Sequence, residues 1–122
     1  FDDRLVFPGT YLRASGSQGI EYMLALGAPP SAVLAANDVM AIAAIGAAID
    51  NTKSVPNDIA IMAIDNMPET ADIRPSVTTV DRNLRAQGLA AVELLLRRLR
   101  GEKSELPESV IIPHQIVVRA SA

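Results

Sequence analysis

The chain has 122 residues, enough for one domain or part of a larger one, and 49% of them are apolar, so a sizeable core is available. It has no cysteine, which excludes a disulfide scaffold or a thiolate metal site and fits a reducing cytoplasm. The net charge is −3, so the chain by itself is expected to bind DNA poorly, because that affinity comes mainly from neutralised phosphates.

Aromatics are limited to Phe1, Phe7, Tyr11 and Tyr22, so the core must be built from Ala, Ile, Leu and Val. No apolar run is long enough to span a bilayer and no signal peptide is visible. The chain opens on Phe1 rather than Met, so we expect residues upstream of it.

Residues 1–14 carry few periodic signals; Val6-Phe7-Pro8-Gly9 reads as a strand end or loop. Ser15 is predicted to N-cap a helix running to about Leu26, with Ile20, Met23 and Leu24 on one face and Gly27 as its stop. After the loop Ala28-Pro29-Pro30-Ser31, the unbroken apolar run Ala32–Ala36 predicts a strand buried on both faces. It stops on Asn37-Asp38, and Asp38 is expected to cap a helix from about Val39 to Ile49. That helix is apolar almost all round, with Val39, Met40, Ile42, Ile45 and Ile49 among alanines, so it needs a covering surface besides the sheet.

A polar loop and Val55-Pro56-Asn57-Asp58 lead into a second apolar run, Ile59–Ile64, which stops on Asp65-Asn66. The two runs and the helix between them form a strand–helix–strand unit with parallel strands. Open α/β sheets bind ligands outside the C-terminal ends of such strands. If the strands are neighbours, those ends lie about 5 Å apart, or about 10 Å with one strand between. Asn37 and Asp65 could then reach one small polar molecule. For each, ligand contact is weighed against a structural cap, and ligand contact is preferred.

Asn66-Met67-Pro68-Glu69 reads as a turn, and Val77-Thr78-Thr79-Val80 as a short extended crossing. Asn83 can cap a long helix from about Leu84 to Arg100 with the stripe Leu89, Val92, Leu96 and Leu99, an i,i+4 pair Glu93–Arg97, and Gly101 as its end. The basic cluster Arg97, Arg98, Arg100 and Lys103 falls at that helix's last turn, where cations complement its dipole; a solvated helix end is preferred over a phosphate-binding patch. Val110-Ile111-Ile112, a break at Pro113 and a last strand near Gln115–Val118 follow.

Catalytic chemistry is not expected. His114 has no partner at metal or triad spacing, Ser15-Gly16-Ser17 lacks the glycine pattern of a nucleophile elbow, and no strand runs into Gly16 and Gly19 as a phosphate loop requires. Asp38 and Asp65 have neither a nucleophile nor a metal ligand near them in sequence. No catalytic residue, metal or cofactor is assigned.

The series Ala35-Ala36-Asn37-Asp38-Val39-Met40-Ala41, Val55-Pro56-Asn57-Asp58-Ile59, Ala63-Ile64-Asp65-Asn66 and Pro75-Ser76-Val77-Thr78-Thr79-Val80, closed by Leu94-Leu95-Leu96, Gly101 and Ile116-Val117-Val118-Arg119-Ala120-Ser121, resembles the C-terminal half of the effector-binding domain of LacI/GalR-type transcriptional regulators. The resemblance implies an α/β fold, part of a periplasmic-binding-protein-like two-lobed domain with a mostly parallel sheet flanked by helices. Residues 1–76 would belong to the second lobe, 77–82 to a crossing strand, 83–105 to a long helix of the first lobe, and 106–122 to a return segment. It implies a sugar or nucleobase effector contacted by Tyr11, Asn37 and Asp65. Arg13, Asn66 and Arg82 are taken as possible cleft or hinge residues by their position, and the resemblance assigns nothing to Arg13. It also implies a cytoplasmic homodimer, joined partly through Val39, Ile42, Ile45 and Ile49, that reaches operator DNA only through an N-terminal domain not in this sequence; no membrane is involved.

Two departures stand out. Ala63-Ile64-Asp65-Asn66 stands where the family usually has Gly-aromatic-Asp-Asp, and Asp81-Arg82 stands where a basic residue and Gln are common, so Arg82 is expected to alter the ligand's charge preference. The alternative reading is a periplasmic sugar-binding protein of an ABC transporter with the same fold. The apolar helix 39–49 favours the regulator, since a monomeric binding protein would need a polar outer face there.

Overall fold

The computed structural model describes residues 2–102 and 108–122. Lys103 and the expected boundary between residues 105 and 106 lie outside the described residues. A short 3-10 turn, Asp3–Leu5, leads to α1 (Arg13–Leu24), β1 (Ala32–Leu34), α2 (Asp38–Asp50), β2 (Ala60–Ile64), the single turn α3 (Glu69–Asp72), β3 (Thr78–Asp81), α4 (Leu84–Leu99) and β4 (Gln115–Val117).

The four strands form one sheet in the order β1-β2-β3-β4. β1, β2 and β3 run parallel, in a register that pairs Leu34 with Met62 and Met62 with Thr78. β4 returns antiparallel, Val80 opposite Ile116. The expected β1–α2–β2 unit is present, and its parallel strands require the crossover that α2 supplies.

The core lies where α1 and α2 meet the sheet: Ile20, Ala41, Ala44, Ile45, Ala48, Ile59, Ile61, Ala63 and Val77 are all buried. Its many alanines let backbones come close. At Gly16 a Cβ would fall inside the backbone of Met40, so α1 and α2 can touch there only through glycine, and Ser17 Oγ donates to Ala43 O at 3.3 Å across the same crossing. The N-terminal segment is pinned to α1 by a tilted Phe7–Tyr22 ring contact and by Tyr22 Oη donating to Arg4 O at 3.0 Å.

The sheet's lower end is sealed by the C-terminus. Ser121, fully buried, donates from Oγ to Ile61 O at 2.5 Å and accepts from Thr78 N at 2.9 Å, while its carbonyl accepts from Ile61 N at 2.7 Å. One serine thus satisfies backbone groups at the start of both β2 and β3, where an unpaired buried group would be costly.

Several expectations change. β1 ends at Leu34 rather than Ala36 and is an edge strand, with Leu34 66% exposed, so it is not buried on both faces as its apolar run suggests. α1 begins at Arg13, capped by the backbone of Leu12, and ends at Ala25 before Gly27 is reached; Ser15 lies inside it, donating to Leu12 O and accepting from Thr10 N. The turn after Asn66 continues into α3, whose Thr70 is buried. Arg97 pairs with Glu108 at 3.0 Å instead of Glu93. The last strand falls at Gln115–Val117 as expected, and Ile111 before it is bare. α4 has the expected length, but none of its residues is buried.

Candidate functional site

Three parallel strands finish on the same edge of the sheet, and the polar residues that follow them define the site. Asp65 follows β2 directly, Asp81 closes β3 with Arg82 next to it, and Asn37 lies three residues past β1. Asp65 N donates to Val80 O at 2.9 Å, so its backbone is still held in the ladder while its carboxylate stands at the rim. There it forms an ion pair with Arg82 Nη2. The pair is partly open, with Arg82's side chain 46% and Asp65's 21% exposed.

The backbone at this rim is strained. Asp65 has φ 127° and Asn66 φ 59°, two successive non-glycine residues in a region that L-residues disfavour. Such conformations cost on the order of 1–3 kcal/mol each and persist only where neighbours over-determine them. The neighbours do so here. Asn66 N donates to Thr79 Oγ1 at 3.3 Å, its Nδ2 donates to Asp81 Oδ2 at 3.1 Å, and its Oδ1 accepts from Arg119 Nη2 at 2.8 Å. Arg119 also donates from Nη1 to Val77 O at 2.8 Å and Thr70 Oγ1 at 3.1 Å, tying the turn to the chain's last residues.

Below the turn lies Asp38, fully buried, which accepts from Met67 N and Thr79 Oγ1, both at 2.6 Å. It was expected to cap α2, but Asn37 does that instead. Asn37 has the extended backbone of a cap (φ −152°, ψ 169°), and its Oδ1 accepts from Met40 N at 2.9 Å. Asp38 is the first residue of α2, where a carboxylate also suits the helix dipole. The physical reason for the exchange is tertiary: Thr79 and residue 67 offer two donors that only the second residue of the Asn-Asp pair can reach.

Asn37 Nδ2 donates to Tyr11 O at 3.1 Å, and Tyr11, at φ 62°, is 65% exposed. The expected site residues therefore assemble as two pairs along one edge, Tyr11 with Asn37 and Asp65 with Arg82, and Asn66 buttresses the second. Arg13 begins α1, exposed and without a hydrogen bond or ion pair among the described residues. Ile45 is only 2% exposed and belongs to the chain's own core, so it leaves the expected interface set. Val39 and Ile42 are half-buried and Ile49 is exposed on α2.

A cavity of about 590 Å³ runs along β1 and reaches Tyr11 and Ala36 beside Asn37; most of its lining is apolar, including Phe7, Ile20, Val33, Leu34 and Met40. It offers few directional partners for a polar molecule. Asp38, Thr79 and Arg119, which shape the rim from beneath, were not singled out from the sequence as site residues. The available signal was the threonine pair Thr78-Thr79 between two valines, and it does not say which of the two faces the rim.

Residues 5–122 match the periplasmic binding protein-like domain family. The chain is 33% identical over 120 residues to the HTH-type transcriptional regulator MalR of Clostridium butyricum, spanning 98% of this chain and 35% of that protein. It is 35% identical over 108 residues to the lactose operon repressor of Rhizobium radiobacter, spanning 88% of this chain and 94% of that one. Among solved structures, the transcriptional regulator CelR in complex with cellobiose superposes over the whole chain with a TM-score of 0.93 at 28% identity, with 37% of that protein covered. The chain thus spans about a third of the length of MalR and CelR. With its mostly parallel sheet and these relatives, it belongs to the periplasmic binding protein-like domain family, as a portion of the effector-binding domain of LacI-type transcriptional regulators.

Proposed function

We propose that this chain forms one wall of the effector cleft in a LacI-type regulator, where a small polar molecule bound at the strand ends changes affinity for operator DNA. The observation that carries this reading is the rim itself. Three parallel strand ends deliver Asn37, Asp65 and Arg82 to one edge, and Asp65 is held there with a strained backbone. An ionised carboxylate so placed is a strong acceptor for hydroxyls or ring N–H groups. Tyr11, exposed and tethered to Asn37, offers an aromatic face to the same molecule.

The effector is of the sugar or nucleobase class; CelR, similar in fold, is known as a complex with cellobiose. The division at residues 76, 82 and 105 follows the same reading. The second lobe carries the cleft wall, and α4 belongs to the first lobe, which explains its bare leucine face. Val39, Ile42 and Ile49 lie on the dimer face, in a cytoplasmic homodimer that reaches DNA through its N-terminal domain. Effector and operator are coupled because they prefer different lobe arrangements, typically by about 1–3 kcal/mol. The relatives are transcriptional regulators, which favours this reading over a transport-associated binding protein.

Asp65→Ala tests it. In the full-length regulator, thermal-shift screening against mono- and disaccharides and nucleobases identifies a ligand. The variant should then bind that ligand at least ten-fold more weakly, about 1.5–3 kcal/mol for a lost charged hydrogen bond. Unchanged affinity in a folded variant would sink the assignment.

A further inference from the structure

Asn66 and Asp81, from the ends of β2 and β3, touch each other. Asn66 donates from Nδ2 to Asp81 Oδ2 and accepts on Oδ1 from Arg119. An amide suits this place because it can face a carboxylate and a guanidinium at once, whereas an aspartate at 66 would set two carboxylates together. Asp81 is fully engaged, its other oxygen accepting from Asn83 N at 2.7 Å. The positive charge past the end of β3 is on the next residue, Arg82.

Successive residues of an extended chain point to opposite sides. Asp81 turns toward Asn66, and Arg82 turns to the rim and to Asp65. The Arg82 backbone is fixed by its carbonyl, which accepts from Gln87 Nε2 at 2.7 Å. Only one of the guanidinium's five donors is engaged among the described residues, that on Nη2 with Asp65. The rest of this planar, permanently charged fork is partly open, the side chain being 46% exposed, and such a fork matches a carboxylate or a phosphate in two parallel hydrogen bonds.

We propose that the effector of this protein carries an anionic group beside its hydroxyls, as in a sugar acid or a sugar phosphate, with the anion on Arg82 and the hydroxyls on Asp65 and Asn37. The inference rests on the effector-site reading above and adds the ligand's charge. A neutral sugar can answer Asp65 but leaves the open edge of Arg82 to water. An anionic one satisfies both members of the pair, and Arg82 stands between its charge and Asp65.

The test uses the full-length protein with matched probes: glucose, galactose and ribose, each beside its terminal phosphate, with glucuronate, galacturonate and inorganic phosphate. Isothermal titration should find at least one anionic sugar binding ten-fold or more tightly than its neutral parent and than inorganic phosphate. Arg82→Gln should erase that ratio, while Asp65→Asn weakens the same ligand without reversing the preference. Neutral parents that bind as well as their anionic forms, a preference that survives Arg82→Gln, or no anionic sugar exceeding inorganic phosphate would each overturn the proposal. Binding lost in Asp65→Asn but indifferent to Arg82→Gln overturns the anionic class alone and leaves the effector site standing. Binding indifferent to both variants overturns the effector site and the proposal with it.

Discussion

β2 and β3 have two ends built on opposite principles. Where they begin, Ser121 is fully buried and joins both strands through three hydrogen bonds of 2.5–2.9 Å. Where they finish, charged side chains stand half in water on a backbone with two successive positive φ angles. The same strands are thus closed at one end and adaptable at the other. Binding residues belong where a rigid scaffold gives way to a rim that can exchange partners. Strain accumulates at the open end because the buried Asp38–Thr79 contact and the Arg119 bonds can hold it there.

The largest effect should come from below the rim. Asp38→Leu removes the acceptor of the part-buried Met67 N and the buried Thr79 Oγ1 and leaves both donors without it. At about 1–3 kcal/mol for each orphaned group, the cost is on the order of 2–6 kcal/mol. Urea unfolding of the intact protein should show a lower midpoint with an unchanged slope. Ser121→Val, which orphans Thr78 N and a β2 carbonyl, is expected in the same range at the closed end. The two substitutions separate in binding: Asp38→Leu should weaken effector affinity through the Asp65–Asn66 turn, and Ser121→Val should not. Equal effects on affinity would show that the two ends are not independent.

How much of this contrast was legible in the sequence follows the range of the interactions. The β1–α2–β2 unit was legible because apolar run length and turn residues are local signals. So was the arrival of Asp65 and Asn37 at one edge, since parallel strands alone require it. Local information cannot decide between Asn37 and Asp38 as the cap of α2. Both residue types cap well, and the choice was made by donors at residues 67 and 79, about thirty and forty positions away. The same holds for Arg119 and Ser121, whose partners lie 40 to 60 residues upstream. β1's exposure was missed because an apolar run says that a strand wants neighbours on both sides, not that this chain provides them.

A smaller effect sharpens the view that the rim's charges are arranged as a set. Asn66→Asp should destabilise by about 1–2 kcal/mol, since it places two carboxylates side by side and removes a donor to Asp81. Asp81→Lys in the Asn66→Asp background should recover most of that loss by pairing opposite charges across the same contact. A double-mutant cycle measures the coupling, and additive losses would show that the two positions act separately.

The smallest effect within these 122 residues is expected on α4, which differs from α2 in what covers it. Both helices are rich in apolar residues, yet α2 buries Met40, Ala41, Ala44, Ile45, Ala47 and Ala48, and α4 buries nothing. Its Leu89 is 63% and Leu99 74% exposed, so their burial within these 122 residues contributes little. Leu89→Gln should therefore change the stability of this chain by no more than about 0.5 kcal/mol, as for most surface substitutions. In the intact regulator the same substitution should cost about 1.5–3 kcal/mol, the contribution of a leucine moved out of water, if the first lobe covers this face. Thermal unfolding of both forms decides the matter. A small change in each would mean that α4 stays bare in the whole protein, and the assignment of residues 83–105 to the first lobe would fall.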